Sequence, residues 1–277
     1  MKKLQAIFFA FFAWTLGFLY AKPLISVSIP PQAYFLKQIA GDTVEIHTLI
    51  PQGADPHTFE FKPQMILDLQ KSDLYLTMGL EFEHIWIPKL KNNLAHTQIL
   101  SIAPITKDPH THKHSHHLHH HNPHTWLSPM LVKDIAHKIT QILISHYPQH
   151  KALYEHNLNA FLEQINALHQ NITNQLKSLK NRTFITYHPA WGHFAKEFQL
   201  KEISIEFEGK EPTPQILAQT LKAIKTHHIK VIFVQNGFST QAASTLAKQT
   251  GASIWITNPL AYDWEQEMLH FAQGLIQ

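Results

Sequence analysis

The sequence predicts an α/β protein of two similar-sized lobes joined by one helix, and three observations predict it. Short β-rich runs alternate with helical patterns from residue 22 to the end, as parallel βαβ units require. Four such runs precede residue 148 and four follow residue 179. Between them, residues 148–179 hold no glycine and no proline beyond Pro148. There Leu158, Phe161, Leu162, Ile165, Leu168, Ile172, Leu176 and Leu179 recur at spacings of three and four. A helix of that length spans roughly 45–50 Å, longer than a small domain is wide, so it can pass from one lobe to the other.

In the first lobe, residues 22–147, Leu24–Ile29 reads as a strand and Pro31–Ala40 as a helix stopped at Gly41. Val44–Ile50 is a second strand closed by Pro51, and the loop that follows carries His57. Pro63–Lys71 is helical, Asp73–Thr77 a third strand, Glu81–Asn93 a helical stretch broken by Pro88, and Gln98–Ile102 a fourth strand. Ser128 and Pro129 have the character of an N-cap and a first-turn proline for a helix running to about Tyr147. In the second lobe, residues 180–277, Thr183–Tyr187, Glu202–Phe207, Lys230–Val234 and Ser253–Ile256 read as strands. The helices between them are Pro189–Phe198, Thr213 to His227 and Ser239 to Gly251, and Trp264–Ile276 closes the chain.

With 277 residues, 44% hydrophobic and 16% charged, the chain has material for two real cores. Lys and Arg are scattered and the net charge is +3, so no basic stripe points to nucleic acid. Residues 1–21 read as a signal peptide, with Lys2 and Lys3 ahead of an apolar run, Ile7–Tyr20, and Ala21 as the small residue before cleavage. That run is shorter than the ~20 residues of a membrane span. Cysteine is absent, which excludes disulfides, a thiolate zinc site, a cysteine nucleophile and a lipid anchor at the end of the leader. The expectation is a soluble exported protein, periplasmic in a two-membrane bacterium. Any metal site must then be built from His, Asp and Glu.

Histidine is the outlier of the composition. Residues 108–121 contain His110, His112, His114, His116, His117, His119, His120 and His121, a tract with no apolar face to bury and an imidazole supply for metal. Three other histidines sit at expected strand ends, where open α/β sheets bind ligands. His57 follows Pro56 after the second strand, His124 follows Pro123 after the fourth, and His188 ends the first strand of the second lobe ahead of Pro189. Each proline restricts the backbone beside its imidazole. Two of the three come from one lobe and one from the other, so they can converge only in the cleft between lobes. Helical His137, His146, His150, His156 and His169 are expected on solvated faces, and His193 beside the site.

The motifs GADPHTFEFKP, NPHTWLSP, YHPAWGHFAKEF, GKEPTP and TNPLAYDWEQEM, in that order, resemble the metal-binding subunits of bacterial zinc and manganese ABC importers, the cluster A-I solute-binding proteins, and in particular their zinc-specific ZnuA group. The resemblance covers the mature chain. It implies two (β/α)4 lobes with mostly parallel sheets, a rigid linking helix and a metal site in the inter-lobe cleft, with His57, His124 and His188 as ligands. Manganese-type members usually carry a carboxylate where this chain has His188, and imidazole favours zinc. Many members have Asp where this chain has Asn258, so the fourth ligand is expected to be water or a carboxylate such as Asp263, Glu206 or Glu208.

The expectation is therefore a non-enzymatic, monomeric protein that captures Zn²⁺ as transported ligand and delivers it to an inner-membrane ABC permease with its ATPase. The same role for nickel or manganese is the alternative within the class. A zinc hydrolase would also use three His and a water, but no H-E-x-x-H and no general base at fixed spacing accompanies them. A surface adhesin is the third class, disfavoured by export without repeats or a lipid anchor.

Overall fold

The computed structural model describes residues 21–51, 59–106, 122–206 and 212–277. The N-terminal lobe runs β1 (Leu24–Val27), α1 (Pro30–Ala40), β2 (Glu45–Thr48), α2 (Pro63–Gln70), β3 (Leu74–Thr77), α3 (Glu81–Leu90), β4 (Gln98–Ser101) and α4 (Pro129–His146). Helix α5 (Lys151–Leu176) links it to β5 (Thr183–Thr186), α6 (Gly192–Glu197), β6 (Lys201–Ser204), α7 (Pro214–Thr226), β7 (Val231–Gln235), α8 (Gln241–Thr250), β8 (Ser253–Thr257) and α9 (Trp264–Leu275). The two sheets have the same order, β2-β1-β3-β4 and β6-β5-β7-β8, and every pairing is parallel. The inner strands β3 and β7 are buried at every position, as strands covered on both faces must be, whereas β2, β4 and β6 at the edges are half exposed.

Local chemistry explains most boundaries. Ser128 Oγ accepts from Leu131 N–H at 3.2 Å and Thr213 Oγ1 from Ile216 N–H at 3.3 Å, each capping a helix that opens with proline. Pro88 does not break α3 as expected. It sits on the exposed side near the helix end, and the first turn is anchored by the buried Glu83 carboxylate, which accepts from the N–H groups of Met78, Gly79 and Leu80. The second-lobe helix expected from Pro189 starts only at Gly192, because residues 189–191 form the bend that leaves β5. Ser239 does not cap α8; Thr240 holds that position without a side-chain cap.

The linking helix is shorter than 148–179 at both ends. Pro148–His150 forms a 3₁₀ turn and α5 covers 26 residues, about 39 Å. Its buried stripe, Tyr154, Leu158, Phe161, Ile165, Leu168, Ile172 and Leu176, lies on α1 and α4 of one lobe and α9 of the other. One hydrophobic core therefore runs through both lobes. His169 departs from the expected solvated face: it stacks on Phe198, with ring centres 5.1 Å apart, and faces Glu197 at 3.5 Å. Among the described residues no helix is long and apolar enough to cross a membrane. The expected leader falls outside the described residues apart from Ala21, and the His-rich segment 108–121 falls outside them altogether.

Glu202 on β6 ties the bend to the sheet. Its Oε1 accepts from Thr186 Oγ1 at 2.8 Å and from Trp191 N–H at 3.1 Å, and burial pushes its carboxyl up to about 7. A carboxyl raised on folding contributes stability that is complete below about pH 4.5 and is lost as pH rises through about 7. Glu202→Gln lacks this dependence. The wild type is therefore expected to lose about 3 kcal/mol relative to the variant between those limits, at 1.36 kcal/mol per pKa unit. Urea unfolding of both proteins across that pH range measures it, and parallel stability curves would contradict it.

Candidate metal centre

His188 is the second residue past β5. Its Nδ1 lies 3.0 Å from Glu206 Oε2, and both residues are buried, at 8% and 3% exposure. A carboxylate oxygen accepts, so Nδ1 carries the proton and the lone pair able to bind a metal is on Nε2. The backbone of His188 is bonded to Gln235 at the end of β7, and the Phe238 ring lies against the imidazole, with centres 5.2 Å apart.

His124 arrives from the other lobe by a different device. Asn122 Oδ1 accepts from the His124 backbone N–H at 3.0 Å and from His124 Nδ1 at 2.7 Å. The first bond identifies that atom as the amide oxygen, and the second then puts the imidazole proton on Nδ1, again leaving Nε2 as the donor nitrogen. A Cβ on Gly192 would come within 2.7 Å of the Asn122 amide nitrogen, so a larger residue there would push on the side chain that holds His124. His193 Nε2–H donates to the Asn122 carbonyl at 2.9 Å, which places His193 beside the site as expected.

The seam is held on the far side of His124 as well. Trp126, fully buried, donates from Nε1 to Pro259 O at 2.7 Å, and Trp264 Nε1 donates back to Trp126 O at 2.7 Å. Ser128 and the Met130 N–H both donate to Glu197 on α6. The stretch 122–130 is thus stitched to the C-terminal lobe along its length.

The result is a meeting of two imidazoles from two lobes, their ring centres 5.3 Å apart and their planes at 70°. Two rings sharing a tetrahedral ion at Zn–N distances near 2.0 Å have centres about 5 Å apart, so the pair fits such an ion. His57 and all eight histidines of the tract lie outside the described residues, as does Glu208. Among the described residues no group of three or more His, Asp or Glu is assembled to hold a metal. Of the carboxylates considered for a fourth ligand, Glu206 is engaged with His188 Nδ1 and Asp263 is exposed at the start of α9. Asn258 turns inward to its own loop, accepting from Leu260 N–H at 3.2 Å. The sequence reading missed Asn122, Gln235 and Phe238. Asn122 was visible as the residue before Pro123, and Gln235 as the one polar residue ending an apolar strand, but neither pattern names a partner.

Known proteins resemble this chain over most of its length. Residues 25–272 match the family model ZnuA, described as the periplasmic component A of the zinc-uptake complex. The high-affinity zinc uptake system protein ZnuA of Bacillus subtilis is 30% identical over 246 residues, which cover 83% of this chain and 76% of that protein. The zinc-binding lipoprotein AdcA of Streptococcus pneumoniae is 29% identical over 243 residues, 83% of this chain and 48% of AdcA. The chain thus spans about half the length of the streptococcal relatives it matches. A crystal structure of ZnuA superposes with a TM-score of 0.84 at 37% identity, over 92% of this chain and 98% of that one. A zinc-bound deletion mutant of ZnuA gives 0.84 at 38%, over 92% and 97%. With the two lobes, their common strand order and the histidine pair at their seam, this match over nearly the whole chain shows that the protein belongs to the ZnuA family of periplasmic zinc-uptake components.

Proposed function

We propose that this protein captures Zn²⁺ in the periplasm, after removal of the leader 1–21, and hands it as a monomer to an inner-membrane ABC permease with its ATPase. The observation that carries the reading is the His124–His188 pair: two buried imidazoles from different lobes, each anchored through Nδ1 so that Nε2 is the metal-facing nitrogen. Neutral imidazole is a borderline donor that suits zinc, where manganese prefers carboxylate oxygen. His57 completes a three-histidine set, and water or a carboxylate supplies the fourth position of the usual tetrahedral shell. The zinc named for the relatives supports the choice of metal.

His188→Ala is expected to weaken zinc binding more than about a hundredfold, beyond the 10–100-fold loss usual for an outer partner of a ligand. Calorimetry with Zn²⁺, and competition with Ni²⁺ and Mn²⁺, reads this directly; unchanged zinc affinity in the variant would remove the site.

His110, His112, His114, His116, His117, His119, His120 and His121 act in this reading as a weak zinc collector beside the primary site. Deletion of residues 108–121 is expected to leave one tight equivalent of zinc and to remove the weak ones. Loss of the tight equivalent in the same titration would instead make the tract part of the primary site.

A further inference from the structure

The backbone of His188 is held in an unusual way. Up to Tyr187 the chain is paired by main chain, Tyr187 N–H donating to Phe233 O and Tyr187 O accepting from Glu206 N–H, both at 2.8 Å. At His188 a side chain takes over. Gln235 Oε1 accepts from His188 N–H at 3.0 Å, and Gln235 Nε2–H donates to His188 O at 2.6 Å. A carboxamide offers an acceptor and a donor on one edge, so it grips both polar groups of a single residue as a neighbouring strand would. Gln235 is only 2% exposed. The main chain supplies only part of this grip, since Ala190 N–H also donates to His188 O at 2.9 Å but no main-chain acceptor takes the place of Gln235 Oε1. Pro189 has no N–H, and the main chain of β7 turns away after Gln235, with Asn236 N–H bonded to Thr257 O.

The same turn brings a second contact. Gly237 adopts φ +90°, a conformation that L side chains rarely take, and Phe238 N–H donates back to Gln235 O at 3.2 Å. The turn thereby folds the Phe238 ring onto the His188 imidazole, with planes 23° from parallel. Glu206, from beyond β6, accepts a hydrogen bond from Nδ1–H. His188 is thus fixed at its backbone, its ring face and its far nitrogen by groups from two different strands. A ligand set must be held to within about 0.5 Å to act, and of the three contacts the Gln235 carboxamide is the one that holds the backbone of His188 rather than its ring.

We infer that Gln235 is the positioning residue of His188: its carboxamide, with the Phe238 ring that the same turn delivers, sets the direction of Nε2 and thereby the zinc affinity. This rests on His188 being a ligand.

A buried glutamine in the other lobe supplies the control. Gln32, fully buried, accepts from the N–H groups of Ser28 and Ile29 and donates to Leu76 O, tying β1 to β3 with no contact to His124 or His188. The experiment compares the wild type, Gln235→Ala, Gln235→Glu, Gln32→Ala and His188→Ala as full-length proteins. Each is read by Zn²⁺ affinity in chelator competition, by the visible spectrum of bound Co²⁺ and by thermal midpoint. Gln235→Glu keeps the shape and the acceptor but sets a second oxygen against His188 O, so it reports even where Gln235→Ala does not fold.

The expected result is a 10–100-fold weaker Zn²⁺ affinity and a shifted Co²⁺ spectrum in both Gln235 variants, the range seen when partners of metal ligands are removed. Gln32→Ala is expected to lower the thermal midpoint with both metal readouts unchanged. Wild-type metal readouts in the Gln235 variants, with binding lost in His188→Ala, would overturn the positioning role and leave the site standing. Equal metal effects in Gln32→Ala would reduce Gln235 to a stability residue and overturn it too. Wild-type Zn²⁺ binding in His188→Ala would overturn the site and this inference together.

Discussion

The spacing of the two lobes is the constraint on which the proposed metal centre depends. His124 and His188 belong to different sheets, and their 5.3 Å separation exists only because the seam between the lobes is closed by exchanged hydrogen bonds. Trp126 donates into the C-terminal lobe and Trp264 donates back to the carbonyl of that same Trp126. Each such bond is worth about 1 kcal/mol net, but removing one partner strands a buried polar group at a cost of about 1–3 kcal/mol. The linking helix adds apolar burial against both lobes, and the core is continuous through the seam.

Within that frame, the protein solves one chemical problem twice. A neutral imidazole offers a single lone pair, and which nitrogen carries it depends on the partner of the other. His124 uses an amide oxygen two residues away in sequence, so its tautomer is set locally by the Asn-Pro approach. His188 uses a carboxylate eighteen residues away, just past the end of the neighbouring strand, so its tautomer is set by the sheet. Both end with the proton on Nδ1. Around them, buried carboxylates serve structure: Glu83 gathers three backbone N–H groups at the head of α3, and Glu202 holds the bend that leaves β5.

Much of this was legible in the residues. Alternating β-rich and helical runs marked the eight strands of the described residues: inner β3 and β7 are buried on both faces and read as apolar runs, while the half-exposed edge strands showed as short β-rich runs between turn residues. Proline beside each candidate histidine marked rigid presentation at a strand end, and for His124 and His188 the described structure brings the pair together. Boundaries were less legible. Pro88 reads as a break, yet α3 carries it on the exposed side, where the lost bond and the ring clash cost least. Pro148 to Leu179 reads as one helix, yet the first turn tightens to 3₁₀ and the last fades past Leu176, since end geometry is decided by a few weak caps.

The sequence by itself determined the fold class, the linking helix and which imidazoles stand at strand ends, because each of these follows from periodicity and from the fixed φ of proline, both properties of neighbouring residues. Only the tertiary structure decided that Glu206 faces Nδ1 of His188, that Asn258 turns into its own loop, that His169 is covered by Phe198, and that Gln235 completes the ladder at His188. Those pairings join residues up to 47 positions apart, on strands that become neighbours only through the β6-β5-β7-β8 order. A hydrogen bond is specified by distance and angle in space, and no pattern along one chain encodes either for residues that far apart.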